Sequence, residues 1–187
     1  MKTASVPVNS EKNFPSNGKG PTLMILRLPL KLILTLTLIL TLTLLSPSRA
    51  EAPKPLKPSA KDKCPVCGMF VAKYPDWLAQ VIFKDGSHAY FDGAKDMFKY
   101  LFNLKKYNPS KQAGDIQAIY VTDYYDLSPI NGREAFYITG SDIYGPMGRE
   151  LIPFQKEADG RGFMEDHKGK NLLKFKEVTP EIVKGLD

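Results

Sequence analysis

Cysteine and histidine are scarce in this chain. Its 187 residues include two cysteines, Cys64 and Cys67, and two histidines, His88 and His167. A framework of several disulfides is therefore excluded, and the histidines are too far apart in the sequence for the closely spaced pair of a zinc finger. Whatever chemistry depends on these residue types must use one CxxC pair and isolated partners.

A large excess of charge of either sign is also absent once the N-terminal region is set aside. Of 26 basic and 20 acidic residues, six basic and one acidic lie before Glu51, which leaves 20 against 19. The apparent basicity therefore does not predict binding to nucleic acid or to an anionic membrane surface.

The N-terminal basicity belongs to a segment typical of a secretory signal peptide. Arg27 and Lys31 surround the start of an apolar region, an uncharged Leu/Ile/Thr run covers Leu32 to Leu45, and small residues close the segment at Ala50. The pattern predicts a signal peptide over residues 1–50, cleaved after Ala50, and a soluble periplasmic product. It also favours Met24 as the true start of translation.

A retained N-terminal transmembrane anchor is the alternative to cleavage. The uncharged run has fourteen residues, fewer than the roughly 20 that span a bilayer core. A membrane is expected as a partner only if the leader is uncleaved. No cysteine follows Ala50 directly, so anchoring through a lipidated N-terminal cysteine is not expected.

The rest of the chain predicts an α+β domain. Residues 51–63, rich in Pro and Lys, are predicted to form a disordered, extended tether. Residues 64–180 are predicted to fold as two small, similar ββαβ-type lobes packed together, over about 64–114 and 115–180.

Local patterns predict the individual elements. Strands are expected at Leu78–Phe83 and His88–Phe91 around an Asp85-Gly86 turn, at 115–126, within "EAFYITG" and within "NLLKFKEV". Helices are expected within "DGAKDMFKYLFNL", with Asp92 as N-cap, within "QKEADGRGFMEDHKG", and after Thr179-Pro180.

No enzyme site is evident. Asp92, Asp96, Asp123 and Asp126 are interpreted as caps, turn residues and solvated faces rather than as an acid–base pair. Asp123 is of further interest among them, because its carboxyl group lies inside a strand pattern.

The stretch "KCPVCGMFV" admits several kinds of site. A thiol–disulfide oxidoreductase would use Cys64 and Cys67, but no strand precedes the pair and Gly68 and Pro75 argue against a long following helix. A structural zinc-binding adaptor would need the two distant histidines as additional ligands. A plain disulfide would close only a small ring.

A Cu(I) site is the third possibility. Thiolate and thioether are soft ligands that select Cu(I) over zinc. Cys67 and Met69 are on alternate residues, and Met147 lies in a Gly-Pro turn, "YGPMGRE", where a core role is not expected. Met97 and Met164 lie in helical patterns and are interpreted as packing residues.

The ordered set "CPVCGM", "YPDWLAQVIFKDG", "YFDG", "VTDYY", "AFYITGS" and "GPMG.E" resembles the NosL family over about Cys64 to Val178. The resemblance implies a periplasmic, monomeric Cu(I) metallochaperone, not an enzyme, that serves nitrous oxide reductase maturation in denitrification. Its partners would be apo nitrous oxide reductase, or another cuproenzyme, and an ABC-type maturation complex. Cys67, Met69 and Met147 would be the ligands, with Cys64, His88 or His167 as further candidates.

Overall fold

The computed structural model describes residues 52–187, so the predicted signal peptide, its cleavage after Ala50 and the start at Met24 lie outside the described residues. The described part is an α+β domain of antiparallel sheets and short helices. Its strands are β1 (Ala79–Phe83), β2 (His88–Phe91), β3 (Ile116–Thr122), β4 (Pro129–Asn131), β5 (Phe136–Thr139), β6 (Tyr144–Gly145), β7 (Gly148–Arg149), β8 (Ile152–Phe154) and β9 (Asn171–Lys174). Its α-helices are α1 (Ala94–Phe102), α2 (Leu104–Tyr107), α3 (Glu157–Asp166) and α4 (Pro180–Lys184). None of the helices within 52–187 has the length and hydrophobicity needed to cross a bilayer.

The first sheet has the order β2-β1-β3-β4, and the second has the order β8-β5-β9. Every residue of β1 is buried, as expected of a central strand with both faces covered. Helix α1 packs on β1 and β2, whereas α3 packs on the second sheet. Strands β3 and β4 belong to the first sheet although they follow residue 114. The change from the first sheet to the second therefore falls between Asn131 and Phe136. The division into lobes at 114/115 stays a prediction.

Most predicted elements are confirmed, with shifted ends. The Asp85-Gly86 turn joins β1 and β2, with Gly86 at a φ of +83°, a conformation that favours glycine. Thr179 caps α4 through its side chain, as predicted. Strands β4 and β8 were not predicted, because each is only three residues long and contains a proline.

Residues 52–59 form neither helix nor strand, a turn follows at 60–61, and the segment is attached to the first sheet. The disordered tether over 51–63 stays a prediction. Leu56 exchanges two hydrogen bonds with the side chain of Gln80 on β1. The hydroxyl of Tyr120 on β3 donates to the carbonyl of Pro53 at 2.6 Å. The segment therefore lies along the sheet instead of extending freely into solvent.

The N-cap prediction for Asp92 is wrong. The N-cap of α1 is Gly93, which has no side chain to cap the helix. One carboxylate oxygen of Asp92 instead accepts a hydrogen bond from Cys67, and the other accepts none within the described residues.

Asp123 ends strand β3 four residues earlier than predicted. One of its carboxylate oxygens accepts from the backbone N–H groups of Tyr125 and Asp126, and the other accepts from that of Gln155. The side chain is 1% exposed. It therefore organises the turn after β3 and connects it to the end of β8.

Replacing Asp123 by alanine should lower the free energy of unfolding by about 2–4 kcal/mol, because three backbone N–H groups lose a charged acceptor. Urea unfolding followed by circular dichroism would measure the loss. The exposed neighbour Asp126 is the matched control, and Asp126→Ala should change stability by less than about 0.5 kcal/mol. Equal stability of the two variants would contradict the role given to Asp123.

Candidate metal centre

The two cysteines lie in a tight loop before β1. The N–H of Cys64 donates to the carbonyl of Met69, and the N–H of Gly68 donates back to the carbonyl of Cys64, both at 2.9 Å. Gly68 has a φ of +80°, which a residue with a side chain rarely adopts. The loop is closed by an antiparallel bridge between Lys63 and Phe70. The two cysteines do not form a disulfide with each other.

Two acidic side chains face this loop from the other side. Asp92 follows β2, and Asp96 lies one helical turn further on, in α1. Asp92 precedes the N-cap of α1 and Asp96 lies in its first turn, and the carboxylates of both residues contact the cysteine loop. Cys67 Sγ lies 3.1 Å from Asp92 Oδ1, and Cys64 Sγ lies 3.3 Å from Asp96 Oδ2.

These four side chains form a thiol–carboxylate cluster. Their sulfur and oxygen atoms all lie within 4.8 Å of one another, and three of the four residues are buried. Within residues 52–187, this is the one group of three or more Cys, His, Asp or Glu side chains close enough to share a metal ion.

The interpretation of Asp92 and Asp96 as caps or solvated side chains is wrong. They are 1% and 3% exposed. The sequence did carry one signal: in "YFDGAKD" one acid directly follows a buried strand and the other lies in the first turn of the next helix, four residues later.

The cluster keeps its thiols protonated in the absence of a cation. Burial raises the pKa of Cys67 to about 12, and the Asp92 and Asp96 carboxylates add to the rise. Burial raises the pKa of Cys64 further still. A metal cation would reverse this preference, because its charge favours the thiolates.

One atom of the cluster has no protein partner. Asp92 Oδ2 is buried and accepts no hydrogen bond within the described residues. A buried carboxylate oxygen without a donor is costly. Its environment is improved by any cation or water held between the acids and the thiols.

The cluster opens on one side into a cavity of about 600 Å³. Cys67 lines this cavity, together with Asp96, and Met147 lines it from the turn between β6 and β7. Cys64 lies behind, 1% exposed. The structure thus brings Cys67 and Met147 to one cavity, although 79 residues separate them in the sequence.

The other predicted ligands lie elsewhere. Met69 is half-buried and does not line the cavity. His88 is at the exposed start of β2, against Tyr90. His167 follows α3, with its ring 4.5 Å from that of Phe163 and its Nδ1 3.2 Å from a carboxylate oxygen of Asp142. Neither histidine belongs to the thiol–carboxylate cluster, and the ligand roles of all six residues stay predictions.

The packing predictions for the other methionines are confirmed. Met97 is fully buried in the main core, and Met164 packs on a second cluster formed by Ile138, Ile152, Phe154 and Phe163.

Fold and site together define a small α+β domain with one candidate metal centre at the wall of an open cavity. The chain belongs to the NosL family, whose sequence profile matches residues 55–183. It is similar to the copper-binding lipoprotein NosL of Stutzerimonas stutzeri, with 26% identity over 146 residues, 72% of this chain and 73% of the relative.

Two solved structures are similar to this chain. The crystal structure of the copper chaperone NosL from Shewanella denitrificans has a TM-score of 0.58 and 25% identity, covering 69% of this chain and 98% of that one. The solution structure of the apo-NosL protein from Achromobacter cycloclastes has a TM-score of 0.41 and 25% identity, covering 56% and 87%.

The two thiols should differ in reactivity. In reduced, metal-free protein, iodoacetamide should modify Cys67 before Cys64, because Cys67 lines the cavity and Cys64 does not. The Cys67 rate should rise about tenfold per pH unit from pH 7 to 10, because a pKa of about 12 leaves the thiolate a small, growing fraction over this range. Peptide mass spectrometry would follow both sites.

Protein denatured in guanidinium chloride is the control, in which both cysteines should react alike. A Cys67 rate that levels off near pH 8, or a Cys64 that reacts first in the folded protein, would contradict this description of the cluster.

Proposed function

We propose that this protein is a Cu(I) chaperone that holds one copper ion at the Cys67 side of the cavity. The observation that carries the proposal is the convergence of a thiol and a thioether, Cys67 and Met147, on one open cavity. Soft sulfur donors select Cu(I) over harder cations. Copper is here the cargo, and no reaction of the protein's own is required.

The surroundings of Cys67 suit both retention and release. The carboxylates of Asp92 and Asp96 lie behind the thiols, where their negative charge attracts a cation. They also accept the hydrogen bonds of any thiol that stays protonated. Cys67 is only partly buried, so a ligand from a receiving protein has access from the cavity. A metal ion with few ligands and one open side can change partners stepwise, without passing through water.

Family membership supports the same function. The relative from Stutzerimonas stutzeri is named a copper-binding lipoprotein, and the one from Shewanella denitrificans a copper chaperone. We extend the proposal to a periplasmic location and to delivery to apo nitrous oxide reductase, or to another cuproenzyme, with an ABC-type maturation complex as a further partner.

Zinc is a second candidate cargo or structural ion. Two thiols and two carboxylates within 4.8 Å of one another supply the four donors of a tetrahedral zinc site. This site differs from the Cys2His2 arrangement considered from the sequence, because acids take the places of the histidines.

The oxidoreductase alternative has less support. A catalytic CxxC lowers the pKa of one thiol at a helix N-terminus, whereas burial raises the pKa of both thiols here. The loop is followed by a three-residue 3₁₀ turn, Val71–Lys73, instead of a helix.

Anaerobic titration of Cu(I) against a chromogenic chelator tests the proposal. One ion should bind per chain, Cys67→Ser should abolish tight binding, and Met147→Leu should weaken it about tenfold, the effect of losing one ligand that contributes about 1.4 kcal/mol. Met97→Leu, a similar change at a buried packing site, is the control and should bind as the wild type does.

The outcomes separate the candidates. A zinc protein would bind Zn²⁺ more tightly than Cu(I) and be indifferent to Met147→Leu. An oxidoreductase would need both cysteines for disulfide exchange. Unchanged Cu(I) affinity in Met147→Leu would contradict a site built from two segments.

Export and delivery need a separate test. When the full chain is expressed in a Gram-negative host, periplasmic protein should begin at Glu51, as shown by N-terminal mass spectrometry, because signal peptidase cuts after small residues such as Ala50. Copper-loaded protein should transfer its ion to apo nitrous oxide reductase, and so should copper-loaded Met97→Leu as the control, whereas Cys67→Ser, which lacks tight binding, should transfer little. An uncleaved, cytoplasmic product, or retention of copper in the presence of the apo enzyme, would contradict these extensions.

A further inference from the structure

Two buried side chains attach the Met147 turn to helix α1. Lys95, 2% exposed, donates from Nζ to the carbonyl of Met147 at 2.8 Å and to that of Leu186 at 3.4 Å. Glu150, 3% exposed, accepts through Oε1 from the N–H groups of Lys95 and Leu151. One residue of α1 is thus connected to both ends of the segment from Met147 to Glu150.

The contact between the turn and the helix is also close-packed. A Cβ atom on Gly93 would lie 2.3 Å from Glu150 Oε2, and one on Gly145 would lie 3.1 Å from Glu150 Cγ. Glycine at both positions lets the Glu150 side chain fit between the start of α1 and the turn. Small movements of the turn are therefore transmitted to the helix and not absorbed by free space.

Lys95 adjoins Asp96, and both belong to α1, whose first residues follow Asp92 and Gly93. The helix that presents one acid to the cysteine loop therefore also holds the turn that presents Met147 to the cavity. Without these contacts the turn is a two-residue hairpin at the surface, and Met147 itself is 44% exposed.

We propose that Lys95 and Glu150 are positioning residues that hold Met147 beside Cys67 for metal binding. The inference rests on the proposed function for its purpose, while the placement itself can be tested without metal. Lys95 holds the turn through its hydrogen bond to the Met147 carbonyl. Glu150 acts by capping α1 and filling the space between Gly93 and Gly145.

The experiment combines Lys95→Met with Met147→Leu in a double-mutant cycle, using Cu(I) itself as the probe. Lys95→Met should weaken Cu(I) binding about tenfold in the wild-type background, as expected when a hydrogen bond from a charged group is lost. It should have no further effect in the Met147→Leu background, because the side chain that it positions is gone. A full effect of Lys95→Met in both backgrounds would overturn the proposal.

Lys99→Met is the matched control. Lys99 lies one turn further along α1, carries the same charge and lines the same cavity, but it pairs with Asp96 and Asp187 and not with the turn. Any effect of Lys99→Met on Cu(I) affinity should be the same with and without Met147. Coupling to Met147 as large as that of Lys95 would show that loss of charge, not loss of positioning, is responsible.

A measurement on copper-free protein tests placement directly. With methyl-labelled methionine, the Met147 methyl group should show NOEs to other side chains that line the cavity, such as Val183, and Lys95→Met should remove them. If the wild type binds no Cu(I) but shows these NOEs and their loss, the proposed function fails and the positioning role stands. NOEs that persist in Lys95→Met would overturn the positioning role whatever the copper result.

Two variants of the second contact keep the proposal testable if Lys95→Met does not fold. Glu150→Gln keeps the size of the side chain and an oxygen that can accept from the N–H groups of Lys95 and Leu151, so it should retain both the NOEs and the affinity. Gly145→Ala should displace the turn and weaken Cu(I) binding only when Met147 is present. Loss of the NOEs in Glu150→Gln, or an unchanged affinity in Gly145→Ala, would count against the proposal.

Discussion

The site depends on one costly arrangement, the burial of two carboxylates against two thiols. Asp92 and Asp96 are almost fully enclosed, and an enclosed carboxylate is unfavourable unless donors surround it. Here the donors are weak S–H groups, with the Lys99 ammonium group 3.9 Å from Asp96, and one oxygen of Asp92 has no donor within the described residues. A cation held between the acids and the thiols would offset this cost, as expected of a metal-binding site.

The two thiols differ in their accessibility from the cavity. Cys64 is sealed behind the loop, held by its own backbone contacts with Met69 and Gly68, whereas Cys67 lines the cavity. A ligand set that is rigid at the back and open at the front binds a cation without enclosing it. The same geometry that disfavours thiol–disulfide chemistry, with both pKa values raised, leaves the front thiol suited to ligand exchange.

The sequence predicted the elements whose signals are local. Alternation around Asp85-Gly86 was sufficient for β1 and β2, and helical spacing was sufficient for α1. The cysteine loop and the surface turn at Met147 were likewise recognisable from their own residues. Asp92 was misassigned because an acid just before a helix has the same local pattern whether it caps that helix or faces a thiol 25 residues away. The burial of Asp96 also depends on a loop that its own neighbourhood does not specify.

The position of Asp92 explains the long-range contact between α1 and the segment after Met147. Because Asp92 faces Cys67, and Gly93 has no side chain, α1 begins without a local cap, and its free N–H groups need another acceptor. Glu150 supplies that acceptor from beyond the Met147 turn. Because Asp92 contacts Cys67 and does not cap α1, the helix is capped instead by Glu150, from the segment that carries Met147. The local preference for a side-chain cap is not met at this point and is compensated from elsewhere in the fold, and the compensating contact, from Glu150 to the N–H of Lys95, comes from the segment that follows Met147.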